Sequence, residues 1–184
     1  IIVFSPLMAV IAIIIKLESK GPVLFRQKRI GIGKSTFQIM KFRTMRTDAP
    51  KDTPTHQLQN PEKYLTRAGR FLRKTSLDEL PQLFNILSGS MAVVGPRPAL
   101  WNQDDLIAER DKYGANDVRP GLTGWAQIHG RDALEIPEKA KLDGEYVKMI
   151  SLPLDLRCFI GTFISVFKRE GVVEGGTGEL KRRE

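Results

Sequence analysis

The sequence predicts an α+β fold in a single small domain, on three observations. The chain has 184 residues, a length that suits one hydrophobic core and is short for two. Residues Val23 to Met45 read as two extended stretches around a glycine-rich turn. Two later segments, near Arg67 to Lys74 and Leu156 to Phe167, repeat like residues at helical spacing. With 41% hydrophobic and 27% charged residues, the chain can bury a core, which excludes wholesale disorder.

The single cysteine, Cys158, rules out an intramolecular disulfide, and the two histidines, His56 and His129, lie far apart. A zinc cluster of the usual Cys/His kind is therefore excluded, and a reduced intracellular setting is expected. The net charge of +8 points to an anionic partner. It is unevenly spread: Lys16 to Lys74 holds 15 basic and 4 acidic residues, while Thr75 onward holds 14 and 17.

Before that basic region lies an uncharged run, Ile1 to Ile15. Fifteen helical residues cover roughly 22 Å, short of the ~20 residues that cross a hydrocarbon core. Pro6 removes a backbone donor and predicts a kink at Ser5, whose hydroxyl can bond a freed carbonyl. Lys16 and Lys20 follow directly, as on a cytoplasmic flank. A membrane-inserted, proline-bent helix is the reading, with a buried core helix as the alternative. The run starts at Ile1 rather than Met, so further native residues are expected upstream.

The next stretch predicts a basic β-hairpin with its turn at Gly31 to Lys34. Gly33-Lys34-Ser35 is not the end of a phosphate-binding Walker loop, because Lys28 stands where the first glycine belongs. In an extended segment, Lys41 and Arg43 share one face and Phe42 takes the other. Asp48 to Pro61, with three prolines, reads as a mobile loop. Arg67, Arg70, Arg73 and Lys74 then recur along a helix, followed by Ser76-Leu77-Asp78-Glu79.

Two readings fit that acidic pair. Ser-x-x-Glu is a capping box, with acids in a first helical turn. Alternatively Pro81 starts the helix, which leaves Asp78 and Glu79 just outside it with free side chains. Either way a helix N-terminus and nearby cations favour the ionised carboxylates. Such a carboxylate suits attack on phosphorus, with a divalent ion and arginines neutralising the phosphate.

Arg97 lies between Pro96 and Pro98, which stiffens its backbone and preorganises a phosphate-binding guanidinium. Trp101 to Tyr113 predicts a surface helix with Asn102 as cap and Gly114 as stop. Val118 to Asp132 is a loop rich in glycine, with Arg119 before Pro120 and a second arginine at Arg131. Leu156, Phe159, Ile160, Phe163, Ile164 and Phe167 form an amphipathic stripe that either lies in a membrane interface or covers the core. The tail, residues 171–184, is expected to be flexible.

Taken in order, the Ser5-Pro6 helix, KFRTM, SLDELPQL, GPRP and RPGLTGWAQIHGR resemble the monotopic bacterial phosphoglycosyl transferases, also called bacterial sugar transferases. The resemblance implies a re-entrant helix over residues 1–20, bent at Ser5 and Pro6, and a catalytic domain over residues 21–170. It implies an enzyme of the bacterial inner membrane with its catalytic domain facing the cytoplasm. The reaction implied moves a sugar 1-phosphate from a UDP-sugar to polyprenyl (undecaprenyl) phosphate and releases UMP, the first membrane step of surface polysaccharide synthesis. Asp78 would be the nucleophile and Glu79 its partner, the two also holding Mg²⁺. Lys41, Arg43, Arg73, Arg97, Arg119 and Arg131 would bind substrate phosphates. Membrane lipids are implied partners. Nucleic acid is not: the chain lacks a recognisable reading helix, RNA-binding aromatic signature or zinc finger. A basic nucleic-acid module and a noncatalytic membrane-surface scaffold are the competing classes.

Overall fold

A computed structural model describes residues 1–50, 60–130 and 133–168. The interior of the proline-rich loop, Arg131 and the tail from residue 171 lie outside the described residues. The fold mixes many helices with two small two-stranded sheets, as expected for α+β.

The apolar run folds as a short 3-10 turn, Ile2–Phe4, followed by helix α1, Ser5–Glu18. Pro6 sits in the first turn of α1, where its missing N–H has no helical partner to lose. The expected kink therefore becomes a change of helix type at Ser5, whose hydroxyl donates to the Ile2 carbonyl at 2.8 Å. Met8, Ile11 and Ile15 are buried against Phe42 and Leu72, while Leu7, Val10, Ile13, Ile14 and Leu17 on the same helix are exposed. One stripe of α1 thus joins the core, and a second apolar stripe is left exposed among the described residues. Among the described residues no helix is long and apolar enough to cross a membrane.

Strands β1, Leu24–Ile30, and β2, Thr36–Phe42, pair antiparallel, with Leu24 opposite Phe42 and Ile30 opposite Thr36. Gly33, at φ 59°, and Lys34, at φ 60°, turn the chain between them. The free edge of β2 is closed by one side chain. Asn85 accepts from the Met40 N–H at 2.9 Å and donates to the Gln38 carbonyl at 2.9 Å, replacing a third strand there.

Asn85 belongs to helix α3, Gln82–Leu87, which follows helix α2, Arg67–Thr75. Thr66 caps α2 by accepting from the Gly69 N–H at 2.9 Å. The carboxylate of Glu18, at the end of α1, accepts from the N–H groups of Arg67 at 2.7 Å and Ala68 at 3.0 Å. The first helix is thereby tied to the N-terminus of the second. At Gly69 a side chain would collide with the Thr44 carbonyl, since a Cβ there would lie 1.9 Å from that oxygen.

Strands β3, Ala92–Val94, and β4, Gly121–Thr123, pair parallel. Between them lies α4, Asp104–Asp111. Gly114 ends this region at φ 68° as expected, but the residue before α4 is Gln103, not Asn102. A four-residue turn, α5 (Trp125–Ile128), precedes α6, Ile136–Met149, which the sequence reading did not identify. Arg110 of α4 donates twice to one oxygen of Asp143 of α6, at 2.9 and 2.6 Å, both side chains being buried. The last helix, α7, runs Leu152–Lys168. Cys158 faces inward with Val94 and Tyr146, whereas Leu156, Phe159, Ile160, Phe163 and Ile164 are exposed. The stripe therefore looks outward rather than covering the core, and the side chain of Phe167 lies outside the described residues.

Candidate active site

The chain places its acidic pair in a junction that neither helix absorbs. Ser76 ends α2 in the left-handed region at φ 56° and makes no side-chain cap bond, so the capping box does not form. Leu77–Glu79 is a 3-10 turn, and Pro81 stands at the N-cap of α3. The second reading holds in outline: both carboxylates lie outside α3. They are not free, however, because tertiary contacts claim them.

Glu79 is the hub. Its Oε1 accepts from Lys41 Nζ at 2.8 Å and from Arg97 Nη2 at 2.5 Å. Lys41 comes from β2, which the Asn85 carboxamide fastens to α3 one residue earlier, at Met40. Burial alone would raise the Glu79 carboxyl, but Arg97 and Lys41 overcome it and hold the group well below the usual carboxylate range. Burial lowers the Lys41 ammonium, and Glu79 offsets only part of that effect.

Asp78 behaves differently. It is 8% exposed, and burial pushes its carboxyl up to about 6. Lys41, Arg73 and Arg97 oppose the rise, and the neighbouring Glu79 charge adds to it. The expectation that both carboxylates are strongly favoured as ions thus applies to Glu79 alone. Lys41 and Arg97 are committed to Glu79, and desolvation governs Asp78.

Of the expected phosphate-binding residues, Lys41, Arg73 and Arg97 act electrostatically on Asp78. Arg73 is oriented by donating from Nε to the Thr44 hydroxyl at 2.9 Å. Arg43 is not with them. It is buried and donates to the carbonyls of Pro22 at 2.6 Å and Ser19 at 2.9 Å, at the exit of α1. The reason is local: β2 ends at Phe42, so the alternation that would set Arg43 beside Lys41 stops one residue short. Arg119 is exposed, its backbone carbonyl packed close to Gly95. Arg131 lies outside the described residues.

Beside the dyad is a cavity of about 170 Å³. Glu79 and Arg97 form part of its wall, with Leu80, Leu83, Val93 and Phe163 among the apolar residues. Asp78 is not one of the residues lining it. The cavity, the Asn85 fastening and the Glu18 cap escaped the sequence reading. Asn85 sits at helical spacing from the dyad in SLDELPQLFN, but its partner strand is far away in the chain. Nothing local marks it.

Comparisons with known proteins identify the family. The family model described as bacterial sugar transferase matches residues 1–169. A UDP-glucose:undecaprenyl-phosphate glucose-1-phosphate transferase of Caulobacter vibrioides is 45% identical over 172 residues, 89% of this chain and 63% of that protein. A UDP-N-acetylgalactosamine-undecaprenyl-phosphate N-acetylgalactosaminephosphotransferase of Aeromonas hydrophila is 42% identical over 161 residues, 83% of this chain and 37% of that one. The exopolysaccharide production protein PSS of Rhizobium leguminosarum is 38% identical over 181 residues, 92% of this chain and 90% of that one. The chain thus spans between about a third and just under two thirds of the two named transferases.

Proposed function

The chain belongs to the bacterial sugar transferase family, and from that premise we propose that it transfers a sugar 1-phosphate from a UDP-sugar to polyprenyl phosphate through an aspartyl intermediate on Asp78. The observation that carries this reading is the division of labour in the dyad. Glu79 accepts hydrogen bonds from Lys41 and Arg97, while the adjacent Asp78 has none from either among the described residues and is buried under the influence of three cations.

In the first displacement an Asp78 oxygen attacks the β-phosphorus of the UDP-sugar. The bond from that phosphorus to the bridging oxygen breaks, and UMP leaves with the electron pair. The phosphosugar remains on Asp78 as an acyl phosphate. A phosphate oxygen of polyprenyl phosphate then attacks the same phosphorus and breaks the bond to Asp78. Polyprenyl diphosphate sugar departs and the carboxylate is regenerated. An ionised Asp78 must approach a polyanion, so Lys41, Arg73 and Arg97 supply the positive potential that the transition state needs.

Magnesium is part of the proposal, and the donor chemistry fits it in a restricted form. Among the described residues no group of three or more His, Cys, Asp or Glu could hold a metal ion. Glu79, expected to share the ion, already gives its oxygens to Lys41 and Arg97. Asp78 would hold it with diphosphate oxygens and water, the usual environment of this ion. When bound it neutralises charge on the diphosphate.

The exposed apolar stripes of α1 and α7 support a membrane-associated protein, with α1 lodged in the cytoplasmic leaflet of the bacterial inner membrane. Relatives that name glucose and N-acetylgalactosamine match at 45% and 42% identity, so the reading is confined to a UDP-sugar. Incubation with UDP-sugars and Mg²⁺, without acceptor, tests it. Intact mass must rise by one phosphosugar, mapped to Asp78, with stoichiometric UMP. A protein that gives neither with any donor in a broad panel refutes the proposal.

A further inference from the structure

The apolar wall of the cavity beside the dyad comes from four places: Leu80 and Leu83 before and on α3, Val93 on β3, Leu122 on β4, and Phe159 and Phe163 on α7. Several of its polar groups are bonded within the fold. The hydroxyls of Thr123 and Thr162 bond each other, and Thr162 also donates to the Cys158 carbonyl at 2.7 Å. Gln127 Nε2 donates to the Gly95 carbonyl at 3.4 Å. Gln127 Oε1 has no partner among the described residues, and Ser76 and Ser165 also line the cavity, but leucine, valine and phenylalanine side chains make up much of the wall, a surface that rewards occupants that are mainly apolar.

Two further features identify the occupant. Phe159 and Phe163 are 45% and 54% exposed, so the wall of the cavity is also the outer face of α7, continuous with Leu156, Ile160 and Ile164. The cavity is also lined by Arg97, paired with Glu79 yet with 31% of its side chain exposed. A molecule complementary to this site has an anionic head for the guanidinium, an apolar segment for the cavity and an apolar continuation along α7. A nucleotide sugar has only the head. We infer that the cavity seats the isoprene unit nearest the phosphate of the polyprenyl acceptor, with the rest of the chain running over Phe159 and Phe163 into the lipid. An apolar cavity of about 150 Å³ accepts benzene, so about 170 Å³ suits roughly one such unit. This inference rests on the transferase reading above and adds where the acceptor lies.

The test uses the full chain in nanodiscs, with dimethylallyl, geranyl and undecaprenyl phosphates as acceptors and a diazirine-bearing geranyl phosphate as probe. Val93→Phe narrows the cavity and Phe163→Ala removes part of its wall. Both variants should weaken the apparent affinity for geranyl phosphate by on the order of tenfold. UMP release on UDP-sugar alone should stay at the wild-type level. The diazirine should label residues 80–83, 93, 122 or 159–163. The inference is overturned if labelling falls elsewhere, or if both variants keep wild-type affinity for geranyl phosphate. Loss of donor-only UMP release with acceptor affinity intact also overturns it, by assigning the cavity to the sugar nucleotide. If the variants do not fold, labelling of the wild type decides. A wild type that yields no UMP with any donor defeats the transferase reading instead, and labelling still reports on the cavity.

Discussion

Lys41 Nζ meets Glu79 Oε1 at 2.8 Å although the two residues are 38 positions apart. The lysine belongs to a strand and the glutamate to a turn between helices, so the pair exists only after hairpin and helices have docked. With Arg97 on the other side, the contact forms a compact, mostly buried triad. Removing the anion leaves two cations facing each other. Glu79→Gln is expected to destabilise the fold by about 3 kcal/mol, as for other broken buried pairs. The effect should be smaller at acid pH: a carboxyl depressed in the folded state contributes above its unfolded pKa, and that contribution is lost as pH falls through the folded value. Urea unfolding at pH 7.5 and at pH 3 checks both statements.

Asp78 has the opposite sign. Its carboxyl stands at about 6 in the folded chain, against about 3.9 unfolded. A raised carboxyl favours the protonated fold, so stability declines as pH climbs from about 4 to about 6 and levels off above. Asp78→Asn should therefore be more stable than the wild type at pH 7.5, by about 3 kcal/mol, and close to it near pH 4. The same substitution should abolish the donor half-reaction. A nucleophilic residue that stabilises the fold when removed is separated by this pair of measurements from one that merely supports it.

The wild-type pH profile carries the same information. An ionised Asp78 is required for attack, so donor-only UMP release should fall below pH about 6 along a limb with one proton. A profile flat from pH 5 to 8 contradicts the assignment of Asp78 as nucleophile.

Asn85 holds the strand that carries Lys41. Asn85→Ala leaves the Met40 N–H and the Gln38 carbonyl unpaired at a part-buried edge, with an expected loss of about 2 kcal/mol. Asn85→Asp keeps the acceptor for Met40 but sets a carboxylate against the Gln38 carbonyl, so it should not restore stability. Chemical denaturation of the three proteins gives the order wild type, then both variants.

Gly69 marks the closest approach of α2 to the strand exit. A methyl there would overlap the Thr44 carbonyl at 1.9 Å, and Thr44 also orients Arg73. Gly69→Ala should cost about 3 kcal/mol or more, since backbone on both sides resists the shift. A thermal melt close to that of the wild type contradicts the packing.

Much of this molecule was written locally. The hairpin follows from two extended runs around Gly31 to Lys34, and α2 from its basic periodicity. For Asp78 and Glu79 the sequence left two readings open, and Pro81 supplied the one, outside the helix, that the fold adopts. Each depends on sterics and hydrogen bonds within a few residues, which the order of amino acids encodes directly. What the dyad does electrostatically is not local. Burial raises Asp78, while Arg97 and Lys41 overcome the same burial at Glu79 and hold it low, and both burial and partners are properties of the packed chain. Arg43, one alternation beyond Lys41, shows the same limit: where a strand stops decides which cation reaches the site and which fastens a helix end. The residues alone established that acids and bases would be present. Folding chose the partners, because a Coulomb energy depends on distance and solvent exclusion, and distant segments acquire both only when they meet.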